Sequence, residues 1–79
     1  MVTSLNLPLG ASMQNATFQI ADGSFIALGH SVVNFGTQAV VVGVHTDLNG
    51  EQNPILRQVV NGKLKGGKWV ADPKKCLPA

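Results

Sequence analysis

Residues 61–79, NGKLKGGKWVADPKKCLPA, hold five of the chain's six basic side chains and its single tryptophan. Lys63, Lys65, Lys68, Lys74 and Lys75 lie in this stretch with one acid, Asp72, and Arg57 stands a few positions upstream. Cations at this density can neutralise a row of phosphates. Gly62, Gly66 and Gly67 let a ligand approach the backbone, and Trp69 can stack on a base or pack in a core. Residues 1–56 carry Asp22, Asp47 and Glu51 and no lysine or arginine. Such asymmetry points to an acidic partner such as nucleic acid. The competing use of the same lysines is to keep an exposed sheet edge from pairing with other chains.

The remaining reactive side chains are few. His30, His45 and Cys76 are the only imidazoles and the only thiol. A zinc site takes about four ligands, commonly in closely spaced pairs, and no such pairing exists here. A nucleophilic thiol needs an electropositive, partly exposed setting; Cys76, just before Leu77, reads as a packing residue instead. Asp47 and Glu51 flank a turn-rich segment, where an aspartate has a local hydrogen-bonding use. The glycines of the tail lack the Gly-Lys-Ser/Thr ending of a phosphate loop. The expectation is therefore no catalytic set, no metal and no cofactor: a binding module and not an enzyme.

Periodicity indicates how these residues are positioned. Nine glycines and four prolines in 79 residues interrupt every window in which a long helix could form. Strand signals recur instead. Residues 17–21 and 24–28 flank Asp22-Gly23, which predicts a two-residue hairpin with Ile20 opposite Phe25 and Phe18 opposite Ala27. Residues 38–45 follow, and Val40, Val41, Val42 and Val44 make that segment apolar on both faces. Such a strand suits the centre of a sheet or an interface with a second copy. Residues 47–50 turn the chain, residues 55–60 form a further strand, and Asn61-Gly62 offers another tight turn. With that turn Val60 faces Lys63 and Gln58 faces Lys65, which puts Lys63 and Lys65 on one face, opposite Leu64. Residues 68–71 form a last strand. Residues 1–16 carry no charge and are expected to be an arm, loose or added to a neighbouring subunit; residues 17–79 form the domain.

Five or so short strands with tight turns imply an all-β barrel. The tail Gly67-Lys68-Trp69-Val70-Ala71-Asp72-Pro73-Lys74-Lys75-Cys76-Leu77 resembles the end of an SH3-like barrel. In such barrels a strand runs into a 3-10 turn near a proline, and an apolar residue, here Leu77, returns to the core. KOW-type nucleic-acid modules share this layout, but their glycine-spaced core is not recognisable here. The plasmid-borne type II dihydrofolate reductases are similar in length and architecture. Asn15-Ala16-Thr17-Phe18, Val41-Val42-Gly43 and the tail can be laid alongside them. That family's pore strand reads Val-Gln-Ile-Tyr, and the matching positions here are Trp69-Val70-Ala71-Asp72. The resemblance thus implies architecture and carries over no catalytic residue.

A chain of this size is near the lower limit for a self-sufficient core, and one cysteine excludes an internal disulfide. Association is the natural remaining source of stability. The longest apolar run spans six residues, far short of the ~20 a membrane helix needs. No basic segment precedes it as a secretory leader requires. A lone thiol fits a reducing, cytoplasmic setting. The leading expectation is a polyanion grip formed by Arg57, Lys63, Lys65, Lys68, Trp69, Lys74 and Lys75. The alternative is a protein-interaction or homo-oligomeric accessory protein of phage or mobile-element origin, assembled through the valines of residues 40–44.

Overall fold

The computed structural model describes residues 16–79. Seven strands and one 3-10 turn follow in order: β1 (Thr17–Gln19), β2 (Phe25–Ala27), β3 (Ser31–Asn34), β4 (Thr37–Thr46), β5 (Gln52–Val60), β6 (Lys63–Val70), the turn Pro73–Lys75, and β7 (Cys76–Pro78). The class is all-β, with the 3-10 turn near the C-terminus as expected. The expected arm falls on residues 1–15, which lie outside the described residues, and on Ala16, which packs against the core. No helix among the described residues is long and apolar enough to cross a membrane.

The strands form two antiparallel sheets, a β1–β2 hairpin and a five-stranded sheet in the order β6-β5-β4-β3-β7. The large sheet does not close into a barrel. Its edges, β6 and β7, do not pair with each other. Residues just past the two strands of the small hairpin reach it through backbone hydrogen bonds, Ala21 N to Cys76 O at 3.0 Å and Gly29 N to Val41 O at 2.9 Å. Phe18, Ile20 and Ile26 of the hairpin region instead cover one face of the large sheet. They form the core there with Val32, Ala39, Val41, Leu56, Ala71 and Cys76. Each fully buried aliphatic side chain in such a layer is worth about 1.5–3 kcal/mol relative to exposure.

Turn chemistry explains where sequence and structure part. In the first hairpin Phe18 pairs with Ile26 and Gln19 with Phe25, one position away from the register expected above. The loop holds three residues. Gly23 N donates to Ile20 O and Ile20 N donates to Ser24 O, with Gly23 at φ +89°. This is a turn followed by a glycine bulge, and the extra residue shifts every downstream pair. Phe25 consequently leaves the core face and is exposed. The Asp22 carboxylate accepts from Ser24 N and Oγ at 2.9 and 2.6 Å, which holds its pKa below the ordinary aspartate value. Gly23→Val is expected to cost roughly 1–2 kcal/mol because a β-branched residue resists positive φ. A melting curve matching wild type would refute the turn.

The residue 47–51 loop repeats the device, with Gly50 at φ +82° and the Asp47 carboxylate accepting from Asn49 N and Glu51 N at 2.9 Å each. The Asn61-Gly62 turn is as expected: both residues have positive φ, and Val60 pairs with Lys63 and Gln58 with Lys65. Gly66 and Gly67 then form a bulge, so that Arg57 pairs with Lys68.

Two strands have no counterpart among the expected segments. β3 is only four residues long and enters β4 through Phe35-Gly36, which lacks the asparagine that usually marks such a turn. β7 follows the 3-10 turn, where Asp72 Oδ1 caps Lys74 N at 3.0 Å and Pro73 sets the first position. Cys76, fully buried, is the tail residue that returns to the core. Leu77, expected in that role, is 52% exposed, because successive strand residues face opposite sides.

Candidate polyanion surface and its supporting clamp

The cations stand on the β5–β6 hairpin and in the 3-10 turn that leads from β6 to β7. Lys63, Lys65 and Lys68 are exposed along β6, and Lys74 and Lys75 are exposed in the 3-10 turn. Strand alternation divides them. Lys63 and Lys65, opposite Val60 and Gln58, lie on the face that carries Leu56 and Trp69. Arg57 and Lys68 oppose each other on the reverse face. Arg57 Nε donates to Gly66 O at 2.8 Å, which ties the guanidinium stem to the bulge. Gly66, at φ +76°, and Gly67 have nothing within 4 Å of where a side chain would begin, so the bulge is open to a ligand.

Three of the chain's four acids are used locally, Asp22, Asp47 and Asp72 each accepting backbone N–H groups of their own turns. A cleft of about 430 Å³ lies between the β4–β5 loop and the tail, lined among others by Glu51, Asn53, Asp72 and Lys74. Its mixed charge makes it a poor seat for a polyanion.

Trp69 belongs to the fold. Its indole packs against the core, and Nε1 donates to Asn34 Oδ1 at 3.1 Å. Asn34 is the one buried polar residue among those described, 4% exposed. Its Nδ2 donates to Lys75 O at 3.3 Å and approaches Cys76 Sγ at 3.7 Å. One amide therefore joins β6, β3 and the tail across the core face of the sheet; β6 and β3 do not pair with each other, whereas β3 also pairs with β7 of the tail. Nothing in the spacing of Asn34 marks it; only its burial does. Burial pushes the Cys76 thiol's pKa up, the Asn34 contact opposes that, and Asp72 adds to it, so the thiol stays neutral and packed.

His30 Nδ1 accepts from Ala27 N at 3.3 Å in the turn between β2 and β3. No three metal-ligating side chains gather among the described residues. Val41 is 1% exposed and Val44 packs against the core, so both serve the chain's own interior. Val40 lies on the opposite face, and Val42 occupies the bulge between Val41 and Gly43. That opposite face, uncovered by the small hairpin, carries Val33, Val40, Ile55, Val59, Leu64 and Val70.

No protein-family model, curated protein or solved structure matches the chain.

Proposed function

We propose that the chain is a non-enzymatic binding module that contacts nucleic acid, or another polyanion, through the β5–β6 hairpin and the neighbouring 3-10 turn. The observation that carries this reading is the placing of Arg57, Lys63, Lys65 and Lys68 on one hairpin, two on each face, whose glycine bulge is open. Lys74 and Lys75 extend the basic surface along the tail. The mechanism is phosphate neutralisation with little sequence selectivity. Trp69, held by Asn34, orients the hairpin and does not face the ligand. The strand, 3-10 turn and strand of the tail support kinship with SH3-like small barrels, here with the sheet left open. The buried lone thiol supports a cytoplasmic setting.

Lys63→Gln with Lys65→Gln is expected to weaken binding to duplex DNA, single strands and heparin alike. The dependence of affinity on log salt should flatten by about 0.7–0.9 per lost contact, with folding nearly unchanged. Wild-type protein that binds none of the three at low salt would end this reading.

A second reading is favoured by the uncovered apolar sheet face: assembly with another copy, as in a small phage- or mobile-element-encoded accessory protein. The two readings compete for Arg57 and Lys68 and leave Lys63 and Lys65 to the polyanion.

A further inference from the structure

Two turns stand at one end of the large sheet, and the chain builds them with the same backbone and different residues. Asn61-Gly62 has φ values of 51° and 79°; Phe35-Gly36 has 51° and 78°. Both positions demand positive φ, which asparagine tolerates and a bulky side chain resists. Packing does not account for the phenylalanine, because Phe35 is 81% exposed. Cations stand at the same end of the sheet. Asn34, its neighbour, donates to Lys75 O at 3.3 Å, and across β4 the β5–β6 turn brings Lys63 and Lys65 to the same end.

We propose that Phe35 is a stacking platform for an unpaired nucleobase, so that the ligand of the basic surface is single-stranded nucleic acid. This rests on the polyanion reading above and names its ligand class. The ring presents a bare face at the tip of a rigid two-residue turn, while Lys63, Lys65 and Lys75 can hold the phosphates on either side of the stacked base. An aromatic with adjacent cations is the usual composition of a single-strand groove, and stacking tolerates any base. Trp69, the aromatic that composition alone would nominate, has its indole nitrogen bound to Asn34 and most of its surface covered.

The test compares Phe35→Asn and Phe35→Trp with wild type on three probes: an oligothymidylate, a duplex of equal length and heparin. Phe35→Asn supplies the residue the turn favours, so its melting temperature should equal or exceed that of wild type. Its affinity for the oligothymidylate should fall by roughly 5- to 150-fold, with heparin affinity unchanged within about twofold. Phe35→Trp should keep single-strand affinity, and its added fluorescence should be quenched on binding. Equal single-strand affinity in wild type and Phe35→Asn would overturn the inference while leaving the polyanion reading intact. Equal losses on all three probes would overturn it too, since they would reflect the turn and not the ring. Loss of self-association in light scattering, with oligonucleotide affinity retained, would assign the ring to a protein contact and overturn it as well. Absence of wild-type binding to every probe would remove both proposals together.

Discussion

Asn34→Leu should lower the melting temperature by more than about 10 °C, an effect out of proportion to the change of one small polar side chain. Leucine keeps the branched shape but is bulkier, and the substitution removes the acceptor of Trp69 Nε1 and the donor to Lys75 O. A fully buried group left without a partner costs about 1–3 kcal/mol, and here two part-buried groups lose theirs at once. A domain of this size has about 4–12 kcal/mol of stability in all, and each kcal/mol shifts its midpoint by about 4–8 °C. The loss should also loosen the 3-10 turn against β6, because the Asn34 side chain bonds both Trp69 and Lys75, while the β3–β7 pairing still holds the end of the tail. Circular dichroism melts with intrinsic tryptophan emission check it: a red-shifted indole should accompany the lower midpoint. A midpoint within about 2 °C of wild type would mean that the amide is not a structural clamp.

Val41→Glu should prevent folding, whereas Val40→Glu, one residue away, should leave a folded chain. Val41 is 1% exposed and lies among the core residues of the large sheet. An isolated carboxylate there must either be desolvated or stay protonated, and either outcome, added to lost packing, exceeds about 4–5 kcal/mol. Val40 faces the opposite side, paired with Arg57 and Ser31, where a new carboxylate meets water and a guanidinium. Far-ultraviolet spectra of the two variants decide the matter, and a folded Val41→Glu would reverse the assignment of faces. The same Val40→Glu protein tests assembly. If a second copy covers the apolar face, wild type should exceed the 8.3 kDa chain mass in light scattering and the variant should not.

Much of the molecule was legible before any coordinates. Glycine and proline spacing excluded long helices, and the alternation around Asn61-Gly62 specified the β5–β6 turn and the pairs beside it, though not the Gly66-Gly67 bulge that shifts the rest of the strand. Pro73 marked the 3-10 turn because its φ is preset. Other features were hidden for identifiable reasons. Asp22-Gly23 looks the same in a two-residue turn and in a three-residue loop with a glycine bulge, and only the packing of Phe18 and Ile26 chooses between them. β3 is too short to show alternation, and its turn uses phenylalanine where asparagine would have signalled it. The two-sided valine run was readable as central, but not which valines face the core, because the bulge at Val42 shifts the alternation partway along the strand.

The sequence by itself determined the all-β class, the charge asymmetry and the side of the β5–β6 hairpin on which Lys63 and Lys65 lie, since these follow from local spacing and turn geometry. Tertiary structure alone decided that Trp69 faces inward, that Asn34 holds it, that Cys76 and not Leu77 closes the core, and that Phe35 stands exposed at the same end of the sheet as the cations. Those outcomes depend on how the small hairpin and the large sheet pack on one another. Contacts between residues 35 and 42 positions apart, such as Trp69 with Asn34 and Asn34 with Cys76, leave no periodic trace along the chain.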